Sequence, residues 1–232
     1  MRDPIVLLPP MFCDARAYAQ LTTALSPAQV LVQAPITGGD RIEEIASGLL
    51  DTLPRRFLLV GQGLGAIVAM ELARRASDRV SGLVLASTTA LAETPQGAAH
   101  AEPLIIKLKS GQMEAAVEGV WPTGAFAPSP QRAAILDGVH KMARNLGAPA
   151  CIAQIRANQR RRDYQGVLRQ CKARALVLCG DQEGAHVPRH HRLLADLIPG
   201  AQAHVIEGAG ALPSLEQPAA FRAAILGWLT PR

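Results

Sequence analysis

The segment 57–75, FLLVGQGLGAIVAMELARR, leaves a chain few ways to fold. Its opening apolar run reads as a buried strand, and the residues from Leu64 onward space their apolar side chains as a helix does. Only Gly61-Gln62-Gly63-Leu64-Gly65 lies between the two patterns. A strand that enters a helix across so short a turn belongs to a strand–helix–strand unit, which builds a parallel sheet. The glycines allow the backbone to reverse sharply and to approach its neighbours closely.

The rest of the chain repeats this alternation. PIVLLPP, AQVLVQAPI, RVSGLVLAST, ARALVLCG and AQAHVIEG read as further strands, and RIEEIASGLLDTL, HHRLLADLIPG and PAAFRAAILGWL as helices. Between Ser87 and about Cys171 the pattern becomes helical and proline-punctuated. The expected organisation is therefore one domain, with a core from residues 1–88 and 172–232 and a helical cap insertion from 89–171. At 232 residues a single core is long enough to be stable. In an open sheet of this kind the ligand site lies beyond the carboxyl ends of the strands. That singles out the loops after Leu8, Val60, Leu178 and Ile206.

Composition narrows the function. A net charge of +5 comes largely from arginines spread over helix faces without interleaved aromatics, so no nucleic-acid partner is expected. The proline-broken N-terminal run is too short for a signal peptide or a membrane span, which implies a cytoplasmic protein with no membrane partner. Cys13, Cys151, Cys171 and Cys179 have neither disulfide-scaffold nor metal spacing. His190 and His191 are adjacent and cannot share a helix face, so no metal site is expected. GQGLGA lacks the lysine of a phosphate loop and the full dinucleotide pattern, so no cofactor is expected. With 3% aromatic residues, a pocket would be lined by aliphatic side chains.

The four loops together resemble the α/β-hydrolase superfamily, in particular its small capped, cofactor-free esterases and lactonases. LLPPMFCDARAY resembles the oxyanion loop, GQGLGAIVAMELA the nucleophile elbow and its helix, ALVLCGDQEGAHVP the acid loop, and IEGAGALPSLEQP the histidine loop. The likeness spans essentially the whole chain. It implies a mostly parallel six-stranded sheet with helices on both faces and a cap insertion, the family's first two strands being absent. It also implies that the position of the nucleophilic serine is Gly63, that of the acid Glu183, and that of the histidine base Ala211. The catalytic triad would then be replaced, and ordinary serine-hydrolase activity is not expected, because neither nucleophile nor base remains.

What the resemblance preserves is the oxyanion hole, whose donors are the backbone N–H groups of Leu64 and Met11. Pro10 stands where a glycine is usual in that loop. Glu183 and His186 are the candidates for acid–base chemistry without a triad. Cys13, Asp14, Tyr18, Asp163, Tyr164, His100, His140 and His204 carry no motif, and His190 and His191 are expected to face solvent. Trp121, Phe126, Ile105, Ile106 and Met142 would line the pocket or fill the cap core. The functional expectation is a non-hydrolytic enzyme of isomerase, lyase or cyclase type that binds a small apolar carbonyl compound. A ligand-binding pseudoenzyme, or an unusual ester or lactone hydrolase using Glu183 or His186, are the alternatives. Oligomeric state is not legible.

Overall fold

A computed structural model describes residues 3–184 and 188–230. His186 lies outside the described residues. Six strands, β1 (Ile5–Leu8), β2 (Leu31–Gln33), β3 (Phe57–Gln62), β4 (Val80–Ala86), β5 (Arg174–Gly180) and β6 (Gln202–Ile206), form one sheet. Its order is β2-β1-β3-β4-β5-β6 and every pairing is parallel. The carboxyl ends of all six strands therefore lie along one edge.

Side chains alternate across each strand and feed two layers. Val6, Leu8 and Leu59 pack with α2 (Ile42–Leu50), α3 (Leu64–Arg75) and α8 (Pro188–Asp196). Ile5, Leu7, Leu58 and Val60 pack on the other face with α1 (Ala19–Leu25) and α10 (Pro218–Leu229). Both faces are thus covered, as a sheet of continuous apolar strands requires. The α3 helix carries a buried Glu71 whose carboxylate pairs with Arg74 at 2.7 Å and Arg75 at 2.5 Å.

Between β4 and β5 the chain forms α4 (Pro95–Lys109), α5 (Met113–Val120), α6 (Arg132–Gln159) and α7 (Gln165–Arg169). The long α6 breaks at Gly147, whose φ of 81° and ψ of 158° interrupt the helix two residues before Pro149. Ile105, Val117, Phe126, Val139, Met142 and Cys151 share a third apolar cluster with Phe12, Cys13 and Leu212 from the loops at the carboxyl edge. The helical insertion therefore sits on those loops. Ile106 departs from expectation: it is 65% exposed and contributes to neither a wall nor a core. It follows Ile105 by one position, and one residue of helix turns the side chain about 100° away from the buried face.

Candidate active site

The turn between β3 and α3 is built on Gly63, at φ 54° and ψ −119°, a conformation L side chains rarely adopt. Helix α3 starts at the next residue, so the Leu64 N–H is among the first-turn amides that a helix cannot pair internally. Gly65 is packed so closely on the end of β1 that a Cβ there would land on the Leu8 carbonyl. A Cβ on Gly63 would meet nothing nearer than Pro10 Cβ at 3.6 Å, with the Ser87 carbonyl at 3.9 Å. The elbow therefore touches the Pro10–Met11 loop on one side and the end of β4 on the other.

The Pro10–Met11 loop is held by groups distant in sequence. Tyr18 Oη donates to the Leu8 carbonyl at 2.8 Å. Trp121 Nε1, from the insertion, donates to the Met11 carbonyl at 3.1 Å. Gln154, fully buried on α6, accepts the Phe12 N–H at 2.8 Å and donates to the Ile36 carbonyl at 3.4 Å. Phe12 adopts φ 64°, rare for a non-glycine residue. The peptide that carries the Met11 N–H is held through its own carbonyl, that of Pro10, which accepts the Cys13 N–H at 3.1 Å, while Trp121 and Gln154 hold the next peptide; a backbone donor fixed in this way is preorganised.

Glu183 follows β5 and is 3% exposed. Burial pushes its pKa up to about 8; the Ser87 hydroxyl and the Gly180 amide pull it back, and the nearby Glu216 adds to the rise. Although Ser87 is close enough to act on Glu183, Ser87 Oγ and Glu183 Oε2 make no well-formed hydrogen bond. Ser87 itself, directly after β4, has φ 44°. Ala211 follows β6, where its N–H donates to the Ala125 carbonyl at 2.8 Å and its carbonyl accepts from Gln62 Nε2 at 3.3 Å. The acid and histidine loops are in direct contact, since Gln182 N–H donates to Ala209 O at 2.9 Å and a Cβ on Gly180 would strike the same carbonyl. Gly63, Glu183, Ala211, Leu64 and Met11 thus belong to one continuous set of loops.

Other residues singled out from the sequence stand elsewhere. Burial drives the Cys13 thiol far above its usual range, which makes it a packing residue rather than a nucleophile. Asp14 pairs with Arg16 at 2.6 Å. Tyr164 is buried against the α3 layer, and Asp163 accepts from the Gln165 N–H at 2.9 Å. His100, His190 and His204 are exposed and His140 is half-buried in the insertion. His191 corrects an expectation: rather than facing solvent it is 2% exposed, and its Nε2 accepts the Thr88 N–H at 3.2 Å. Thr88 Oγ1 in turn donates to the Gly63 carbonyl at 3.1 Å. The amphipathic turn of α8 gives the adjacent histidines opposite environments. Gln62, Ser87, Gln154 and Glu216 were not legible as site residues; the only signal was a polar Gln62 ending an otherwise apolar strand.

With this geometry in place, the chain belongs to the alpha/beta hydrolase family, whose model matches residues 5–224. Its fold is similar to that of a thermophilic esterase from Thermogutta terrifontis (TM-score 0.88, 22% identity, 99% of this chain and 90% of that one). It is also similar to the enol-lactonase from Burkholderia xenovorans LB400 (TM-score 0.85, 24% identity, 100% and 93%) and to a bromoperoxidase from Bacillus anthracis (TM-score 0.80, 16% identity, 98% and 92%). No curated protein matches the chain by sequence. Among the described residues no helix is long and apolar enough to cross a membrane, and no group of three or more His, Cys, Asp or Glu side chains is placed to hold a metal ion.

Proposed function

We propose that this protein is a cytoplasmic, cofactor-free, non-hydrolytic enzyme that binds a small carbonyl compound at the Met11 and Leu64 amides and moves a proton with Glu183. The observation that carries this reading is Glu183 itself: a buried carboxyl with one oxygen unpaired and a pKa of about 8, one residue away from the elbow through Ser87. At neutral pH such a group is mostly protonated with an accessible ionised fraction, which suits it to both halves of a proton transfer.

In the forward step the Glu183 carboxylate takes a proton from carbon α to the ligand carbonyl. The C–H electron pair moves into the C–C bond, and the carbonyl π pair moves to oxygen. The backbone N–H groups of Leu64 and Met11 stabilise that enolate oxygen. Return of the proton from Glu183 to a different carbon isomerises the ligand, while departure of a β substituent makes the reaction an elimination. Ester hydrolysis by an acyl-enzyme is not supported, because Gly63 offers no nucleophile and Ala211 no base. The free, mostly buried cysteines accord with a reducing compartment, and the fold tolerates activities as different as those of an esterase and a bromoperoxidase.

Two measurements test the reading. Deuterium uptake at the α-carbons of butanone in D2O, followed by proton NMR, is expected with the native chain and should fall by roughly 10²–10⁴-fold in Glu183→Gln. Binding without exchange would favour a ligand-holding role instead. Hydrolysis of a short-chain p-nitrophenyl ester should stay at background in the native chain and rise only when Gly63→Ser and Ala211→His are combined; brisk turnover by the native chain would overturn the proposal.

A further inference from the structure

Three neighbouring strands end in or just before one buried polar side chain that has an unpaired atom, and a fourth such side chain lies on the helix after β6. Gln62 closes β3, Ser87 follows β4, Glu183 follows β5, and Ser214 lies on α9 (Pro213–Glu216) after β6. Their exposures are 0, 7, 3 and 5%, and Gln62 Oε1, Ser87 Oγ, Glu183 Oε2 and Ser214 Oγ have no hydrogen-bond partner among the described residues. Because the sheet is parallel and its order runs β3-β4-β5-β6, the segments that carry them leave consecutive strands at the carboxyl edge. Buried polar atoms are almost always paired, and leaving one unpaired is costly. A row of four at the edge where such sheets bind ligands marks a surface shaped for hydrogen bonds with something else.

The chemistry of the row is not symmetric. The hydroxyls of Ser87 and Ser214 and the carboxyl of Glu183 can donate or accept, depending on their protons. Gln62 has no such freedom. Its Nε2 donates to the Ala211 carbonyl, and exchanging the two ends of the amide would set two oxygens against each other. Gln62 Oε1 is therefore an obligate acceptor, completely buried, on a side chain whose other end holds the Ala211 carbonyl and whose position in sequence is one residue before the Gly63 elbow. A purely apolar ketone can satisfy the Leu64 and Met11 donors and still leaves Gln62 unpaired. A ligand with an O–H or N–H beside its carbonyl satisfies both.

We propose that this site takes a small carbonyl compound carrying its own hydrogen-bond donor, a hydroxyl or an amide N–H, and that Gln62 Oε1 receives that donor. The inference rests on the oxyanion-site reading above and sharpens it: the ligand is a hydroxy-carbonyl or carboxamide rather than a simple ketone. Gln62 is a specificity-determining residue, and Glu183 remains the group that moves the proton.

The test is a binding titration of the native chain, followed by protein-detected 1H–15N NMR, with butanone, hydroxyacetone and propanamide, three probes of nearly equal size. One of the two donor-bearing probes is expected to bind roughly five- to tenfold more tightly than butanone, the return for one additional buried hydrogen bond. Which of the two it is identifies the donor as O–H or N–H. Gln62→Met, similar in length but without the carbonyl acceptor, is expected to bind all three alike. Equal affinity of the native chain for the three probes, no binding by either donor-bearing probe, or a preference that survives in Gln62→Met each overturns the proposal. The ranking on the native chain decides the matter even if the variant does not fold. Equal binding accompanied by α-carbon exchange would remove this inference while leaving the proton-transfer reading standing.

Discussion

Glu183, on the loop after β5, and Glu216, at the end of the short helix α9 after β6, are near enough to act on each other, and the fold treats them in opposite ways. Glu216 Oε2 accepts the N–H groups of Ala127 at 2.7 Å and Gly210 at 2.8 Å, and its Oε1 accepts that of Leu212 at 2.8 Å. One carboxylate thereby fastens the helical insertion to the loop after β6. Glu183 is more deeply buried yet leaves Oε2 unpaired, and burial drives its pKa to about 8. Of two identical side chains, one is consumed in holding structure together and the other keeps an oxygen without a partner among the described residues. The lesson is that a buried carboxylate is not by itself a sign of function; its hydrogen-bond account is.

The sharpest way to break that contrast is to remove Glu216. Glu216→Ala loses three charge-assisted hydrogen bonds and leaves three backbone donors without their acceptor, for a cost of roughly 3–5 kcal/mol. Urea unfolding followed by circular dichroism reads it directly. A loss below about 1 kcal/mol would mean that the carboxylate does not fasten the insertion after all.

A smaller effect, of opposite origin, is expected from pH. Glu183 has a folded-state pKa raised from 4.5 to about 8, so between those values the folded chain holds a proton that the unfolded chain has released. Its contribution to stability is complete below pH 4.5, declines as pH rises, and is gone above about 8. The slope is at most about 1.4 kcal/mol per pH unit, and relaxation around the charge should bring the total to the order of 2–3 kcal/mol. Glu71 and Asp14, whose pKa values are held below the usual carboxylate range by arginines that outweigh their desolvation, oppose this only at lower pH. Unfolding free energies measured from pH 5 to 8, below the range in which the buried thiols release protons on unfolding, should therefore fall with rising pH in the native chain. In Glu183→Gln that fall should be absent; an unchanged profile would show that Glu183 ionises normally.

The backbone of this contrast was legible in the sequence, and its side-chain accounts were not. Apolar runs ending in Gly and Pro gave the six strands, and Gly61, Gly63 and Gly65 marked the strand-to-helix turn, because those signals are local and backbone-based. The loops after β1 and β5 could be located for the same reason. Gln154 could not: its partners Phe12 and Ile36 are more than a hundred residues away, and nothing near it in sequence distinguishes it from a surface glutamine. Glu216 holds Ala127 across 89 residues in the same way. His191 was expected in solvent together with His190 at the start of the helix, yet one step around α8 places it against Thr88. Periodicity alone fixes which face of a helix is apolar, not which polar side chain that face will bury.

The finest probe of the comparison is Ser87, whose hydroxyl is the one side chain among the described residues that pulls the Glu183 pKa down. Ser87→Ala removes a buried oxygen that has no hydrogen-bond partner, and alanine tolerates the φ of 44° no worse than serine does. The direct effect on stability should therefore be within about 1 kcal/mol and can favour the variant, since deleting an unsatisfied polar atom relieves a desolvation cost. The titration should respond more clearly: without the hydroxyl, only the Gly180 amide among the described groups opposes burial and Glu216, and the pH at which the stability difference from Glu183→Gln levels off moves upward from about 8. The same variant in Glu183→Gln background should show no such movement. If the plateau stays where it was with Glu183 intact, Ser87 does not touch that carboxyl, and the row of unpaired groups is not one connected surface.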